Sequence, residues 1–127
     1  MTRWLTLACT IFLCACCASA PKQMIFGAQP LEPEAYYEDL YNEAKSCAQK
    51  LNKWSGKHFA DVEWYVVAPG AMENYAGLFS SPNRIFLDFK YTMNTIIIKH
   101  EAAHAAIVAS DNSHDDAVFM LCSIPNK

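Results

Sequence analysis

Across residues 34–55 apolar side chains recur at three- and four-residue steps, at Tyr37, Leu40, Tyr41, Ala44, Cys47, Ala48, Leu51 and Trp54. That spacing predicts an amphipathic helix with one buried stripe. Pro33 and Glu34 suit its first turn, and Gly56 is placed to end it. The pattern then changes period. Residues 62–68 are rich in β-formers and close at Pro69-Gly70, while 75–79 and 84–89 flank Ser80-Ser81-Pro82-Asn83, a hairpin turn. In the second arm Ile85, Leu87 and Phe89 alternate with Arg84, Phe86 and Asp88, so one face of the strand is apolar. Residues 92–110 follow a third pattern: Ile96, Ile97, Ile98, Ala102, Ala103, Ala105, Ala106, Ile107, Val108 and Ala109 leave almost no polar face. A helix of that composition is buried. After a break at Ser110-Asp111-Asn112-Ser113, residues 115–122 form a short last helix, with Ser113 as N-cap and Asp115 and Asp116 in the first turn. The expected class is α+β: an N-terminal helix packed on a small, mainly antiparallel sheet, followed by two helices.

Ahead of these elements lies a run with a different purpose. Residues 4–17 carry no charge and follow Arg3; they are shorter than the roughly 20 residues of a comfortable membrane span. Residues 1–20 therefore read as an export signal. Leu13-Cys14-Ala15-Cys16 resembles a bacterial lipobox, which would make Cys16 the lipidated first residue of a membrane-anchored lipoprotein. Ala18-Ser19-Ala20 offers a second cut and a soluble periplasmic form, and an anchor that stays uncut is a third outcome. Residues 21–33, with Pro30 and Pro33, are expected to be a tether, and 34–127 one domain. A formal charge of −3 and the absence of a basic patch exclude a nucleic-acid partner. Of the 6 cysteines only Cys47 and Cys122 lie beyond the leader. In an oxidising compartment the two are expected to be bridged, the alternative being two buried thiols.

The chemistry sits in the buried helix. His100-Glu101-Ala102-Ala103-His104 puts two imidazoles on one face a turn apart, with a carboxylate beside them. Two such nitrogens can hold one Zn²⁺, and Glu101 is then placed as general base on a zinc-bound water. The bland account is a polar face on an amphipathic helix. Burying these groups without partners would cost several kcal/mol, which a metal would offset. A catalytic zinc usually has a third protein ligand. His114 is the candidate, with Asp111, Asp115 and Asp116 as rivals; Asp115 and Asp116 could equally orient an imidazole or simply start a helix. Asn74, Tyr75 and Tyr91 stand near element ends, where a tyrosine could donate to an oxyanion, although surface or core tyrosine is commoner. His58 is assigned no metal role.

The signature His100-Glu101-x-x-His104, with His114 ten residues on and an aromatic at Phe119, resembles the zincin metallopeptidases, most of all the small minimal zincins of the SprT type. The resemblance covers residues 62–122. It implies a Zn²⁺ cofactor, hydrolysis of peptide bonds by a small metallopeptidase, which the leader would make an exported one, and an edge strand that pairs with an extended peptide or protein substrate. The matching stretch is 84–89, from Arg84 to Phe89. The other class these residues allow is an exported zinc-binding or interaction protein with a catalytically silent zincin fold.

Overall fold

A computed structural model describes residues 24–108 and 117–122. The leader with Cys16, and the segment holding Asp111, His114, Asp115 and Asp116, lie outside the described residues. Strand β1 (Gln29–Pro30) precedes helix α1 (Ala35–Lys50); β2 (Glu63–Val67), β3 (Gly77–Ser80) and β4 (Arg84–Asp88) follow, then α2 (Thr95–Ala106) and α3 (Ala117–Cys122). The class is α+β, as the patterns required.

The sheet is mixed, in the order β1-β2-β4-β3. β1 and β3 pair antiparallel with their neighbours, but β2 and β4 are parallel, Glu63 opposite Arg84 and Val67 opposite Asp88. Two of the three pairings are thus antiparallel, as expected, and β1 falls within the stretch read as a tether; the departure is the central parallel pair. The cause is the composition of β4. Ile85 and Leu87 face the helices, while Phe86 is buried in a second cluster with Val67 and Met72 on the opposite face. A strand covered on both faces belongs in the middle of a sheet. The stretch 84–89 is therefore not an edge. Phe89 leaves the strand for a one-turn 3₁₀ helix, Phe89–Tyr91, and is exposed.

Both long helices are shorter than their apolar patterns. α1 ends at Lys50 because Asn52 takes a left-handed φ of 55°. The Asn52 N–H then donates to the Gln49 carbonyl at 3.1 Å and the Lys53 N–H to that of Ala48 at 2.8 Å, the paired bonds of a Schellman ending. Asn52, not Gly56, stops the helix. Trp54 instead pairs as extended chain with Ile107. That same pairing ends α2, since the Ser55 N–H donates to the Ala106 carbonyl and the Val108 N–H to that of Lys53. At its start Asn94 caps α2, its side-chain oxygen accepting from the N–H groups of Ile96 and Ile97 at 3.1 and 3.2 Å.

The main core lies between the helices and one face of the sheet. Tyr37, Tyr41, Ala44 and Ala48 of α1 meet Trp64, Ile85, Leu87, Ile98 and the alanines of α2. Alanines at the contact allow α2 to lie under α1 and still reach the sheet. The phenols buried with them are satisfied: Tyr36 and Tyr37 both donate to the Thr92 carbonyl, and Tyr41 donates to that of Lys57 at 2.8 Å. Burial pushes the Tyr41 hydroxyl up to about 12 and that of Tyr37 further still. A disulfide between Cys47 and Cys122 fastens α3 to α1.

Candidate metal centre

α2 brings His100, Glu101 and His104 to the side of the core between β3 and α3. Glu101 and His104 are buried and His100 is half-buried. The two imidazole ring centres are 5.1 Å apart with their planes at 80°. Two imidazoles bound tetrahedrally to one zinc through nitrogens at about 2.0 to 2.1 Å have ring centres about 5.2 Å apart. The pair therefore fits a single ion in spacing. Among the described residues no group of three His, Cys, Asp or Glu is placed to hold a metal; His114 and its rivals lie outside them.

Two aromatic rings frame the imidazoles. Phe119, on α3, stacks on His104 at 4.3 Å and meets His100 edge-on at 5.2 Å. Phe79, on β3, lies parallel to His104 at 6.2 Å. The aromatic singled out at Phe119 is thus in the site, and the disulfide one turn-length further along α3 holds it there.

Glu101 turns toward β3. Its carboxyl rests on Gly77 so closely that a Cβ at that position would stand 2.7 Å from Glu101 Cγ and 2.9 Å from Oε1. Burial pushes the carboxyl up to about 8, and a backbone hydrogen bond from Phe79 pulls the other way. Gly77 and the Phe79 amide are site components that the apolar pattern did not reveal. A glycine inside a strand that otherwise reads Leu78-Phe79-Ser80 was the available signal, since such a glycine marks close approach by another group.

Other expected participants stand elsewhere. Asn74, Tyr75 and Tyr91 line a cleft of about 160 Å³ with Gly70, Glu73, Asp88 and Lys90. None of His100, Glu101 or His104 is in its wall. His58 is exposed, with Nδ1 3.5 Å from Lys45 Nζ and its ring edge-on to Trp54. Among the described residues β3, next to the signature helix, has a strand partner on one side only, β4. No family model, curated protein or solved structure matches this chain.

Proposed function

We propose that this chain is a small exported zinc peptidase. The observation that carries the proposal is the spacing of His100 and His104, 5.1 Å between ring centres, on a buried helix that also carries Glu101. His100 and His104 would hold the ion, with His114 as third ligand. When bound, zinc supplies Lewis acidity toward a peptide carbonyl and toward water. Glu101 takes a proton from the attacking water on its carboxylate and passes it to the leaving nitrogen as the C–N bond breaks, yielding a carboxylic acid and an amine. Phe79 and Phe119 pack on the imidazoles and would hold their rings in place.

The substrate would lie along β3 rather than along 84–89. The Asp88 N–H donates to the Ala76 carbonyl, and in an antiparallel pair inward and outward residues alternate. Gly77 therefore presents its backbone N–H and C=O away from β4, where an extended peptide could pair with it, while the Phe79 N–H on the same side is taken by Glu101. The proposed setting is the periplasm or a membrane, with Cys16 as the lipid site.

Zinc content and cleavage of a broad peptide panel, measured on wild type and Glu101→Gln, test the reading. Zinc retained in both, with turnover about 10² to 10⁴-fold lower in Glu101→Gln, is the expected result. A second reading, a silent zinc-binding protein, is favoured by the 6% exposure of Glu101 and its contact with Gly77, which leave a base little access to water. It predicts zinc in both forms and no cleavage in either. A wild-type chain that takes up no zinc overturns both, and unchanged zinc affinity in His114→Ala removes His114 from the ligand set.

A further inference from the structure

Met24, Phe26, Tyr75, Phe89, Tyr91 and Met93, six of the eleven exposed large apolar side chains among the described residues, lie at one end of the sheet, while Leu121, 71% exposed, lies on α3. β2 and β4 are parallel, with Val67 opposite Asp88, so both run out at the same end. The turn Phe89–Tyr91 follows β4 there, and the loop after β2 folds back to it, the Gly70 N–H donating to Asp88 at 2.8 Å. β1 is antiparallel to β2, Gln29 opposite Val66, so the chain ahead of β1 enters from this end as well. Here Phe26 is 99% exposed, Met93 84%, Phe89 65% and Tyr75 63%. The opposite end carries the Glu63–Arg84 ion pair and fewer exposed large apolar side chains, Val108 at 57% and Leu51 at 38%.

We infer that this end of the molecule rests in the interfacial layer of a lipid bilayer, with Phe26, Phe89 and Met93 among the headgroups and upper acyl chains. Exposed apolar side chains grouped in this way mark an interaction surface, and aromatic residues favour the membrane–water boundary. The place where the chain enters selects the occupant. In sequence the charge-free run 4–17 ends seven residues before Met24, and seven residues reach at most about 25 Å. A lipid on Cys16, or the run itself, therefore brings this end within reach of the membrane first. Lys90 and Glu73, of opposite charge, both line the cleft here, so the contact is apolar more than electrostatic. No helix among the described residues is long and apolar enough to cross a membrane, which fits a surface that lies on the bilayer. The inference rests on the leader, not on zinc.

The test reconstitutes the full chain into phosphatidylcholine vesicles whose acyl chains carry bromine near the headgroup, a quencher of tryptophan. Phe89→Trp and Met93→Trp probe this end, and Ser81→Trp the opposite one; the native tryptophans are common to all three. The probe positions are exposed, and unfolding curves matching the parent show that the variants fold. Phe89→Trp and Met93→Trp should emit further to the blue and lose several-fold more emission than Ser81→Trp. Equal quenching at all three, no quenching of the first two in vesicle-bound chain, or failure of the full chain to bind vesicles overturns the inference. Protection of Phe89→Trp and Met93→Trp by self-association in sedimentation runs would assign the surface to a second copy and overturn it too.

Discussion

Two buried carboxylates divide the molecule. Asp88, at the C-terminal end of β4, is 5% exposed and Glu101, in α2, is 6% exposed, yet the first is held below the usual carboxylate range and the second is pushed up to about 8. Depth and donors together make the difference: burial is the largest influence on Glu101 and a minor one on Asp88. Asp88 accepts the N–H groups of Gly70 at 2.8 Å and Lys90 at 2.9 Å, so its charge is welcome where it lies. Glu101 has one backbone donor, from Phe79, against a larger cost of burial. Asp88 ties two chain segments together and is fully occupied in doing so. Glu101 lies beside two imidazoles on α2 with its carboxyl pushed up by burial, the environment of a candidate site rather than of a turn.

The largest way to break this contrast is to open the Glu101 side alone. Replacing both Cys47 and Cys122 by Ser removes a link spanning 75 residues, worth about 4 kcal/mol in the chain-entropy model. Urea unfolding should register most of that loss. Amide exchange should then speed up in α2 and α3 while the Gly70 and Lys90 amides bound to Asp88 keep their protection relative to the new global stability. Uniform acceleration at both carboxylates would mean that α3 is not a separate cover over the imidazoles.

Next in size is Gly77→Ala. The added Cβ would press on Glu101 Cγ at 2.7 Å, an overpacking expected to cost about 1 to 3 kcal/mol. In a Glu101→Ala background the cost should vanish, and the coupling in a double-mutant cycle measures the contact directly. Equal cost in both backgrounds would show that Glu101 does not rest on β3.

Gly77 also shows where the sequence stopped being legible. The α1 stripe, the β4 alternation and the imidazole pair each follow from a period, because burial acts on every turn or every second residue and writes a repeat. The helix endings did not follow, since one asparagine with a left-handed φ and one cross-chain pairing of Trp54 with Ile107 override a stripe that continues past them. The position of β4 in the sheet was half-visible: Phe86 on its second face was counted with the polar residues, although it is buried. Contacts between α2 and β3 are non-local, and a single glycine is all they leave in the sequence.

A smaller effect separates structural hydroxyls from the site. Tyr37→Phe removes a donor to the Thr92 carbonyl, a loss of about 1 kcal/mol at most, because Tyr36 still donates to the same oxygen at 3.1 Å. Thermal unfolding should shift slightly while zinc content stays at the wild-type level. A loss of zinc would mean that the junction of α1 with the turn before α2 positions His100.

The smallest effect is a slope rather than a loss, and it belongs to Asp88. Its pKa in the fold is lowered, first by the Gly70 N–H and then by that of Lys90. A carboxyl lowered on folding adds stability that is present above its unfolded value, about 3.9, and is lost as pH falls below that toward the folded value. Unfolding free energy measured by urea between about pH 5 and 2 should therefore fall toward acid in wild type. In Asp88→Asn, which keeps the shape but cannot take up that proton, the slope should be shallower by Asp88's share. An unchanged slope would place the titration on other carboxylates, and the Gly70 and Lys90 amides would then be held by geometry without favouring the charge.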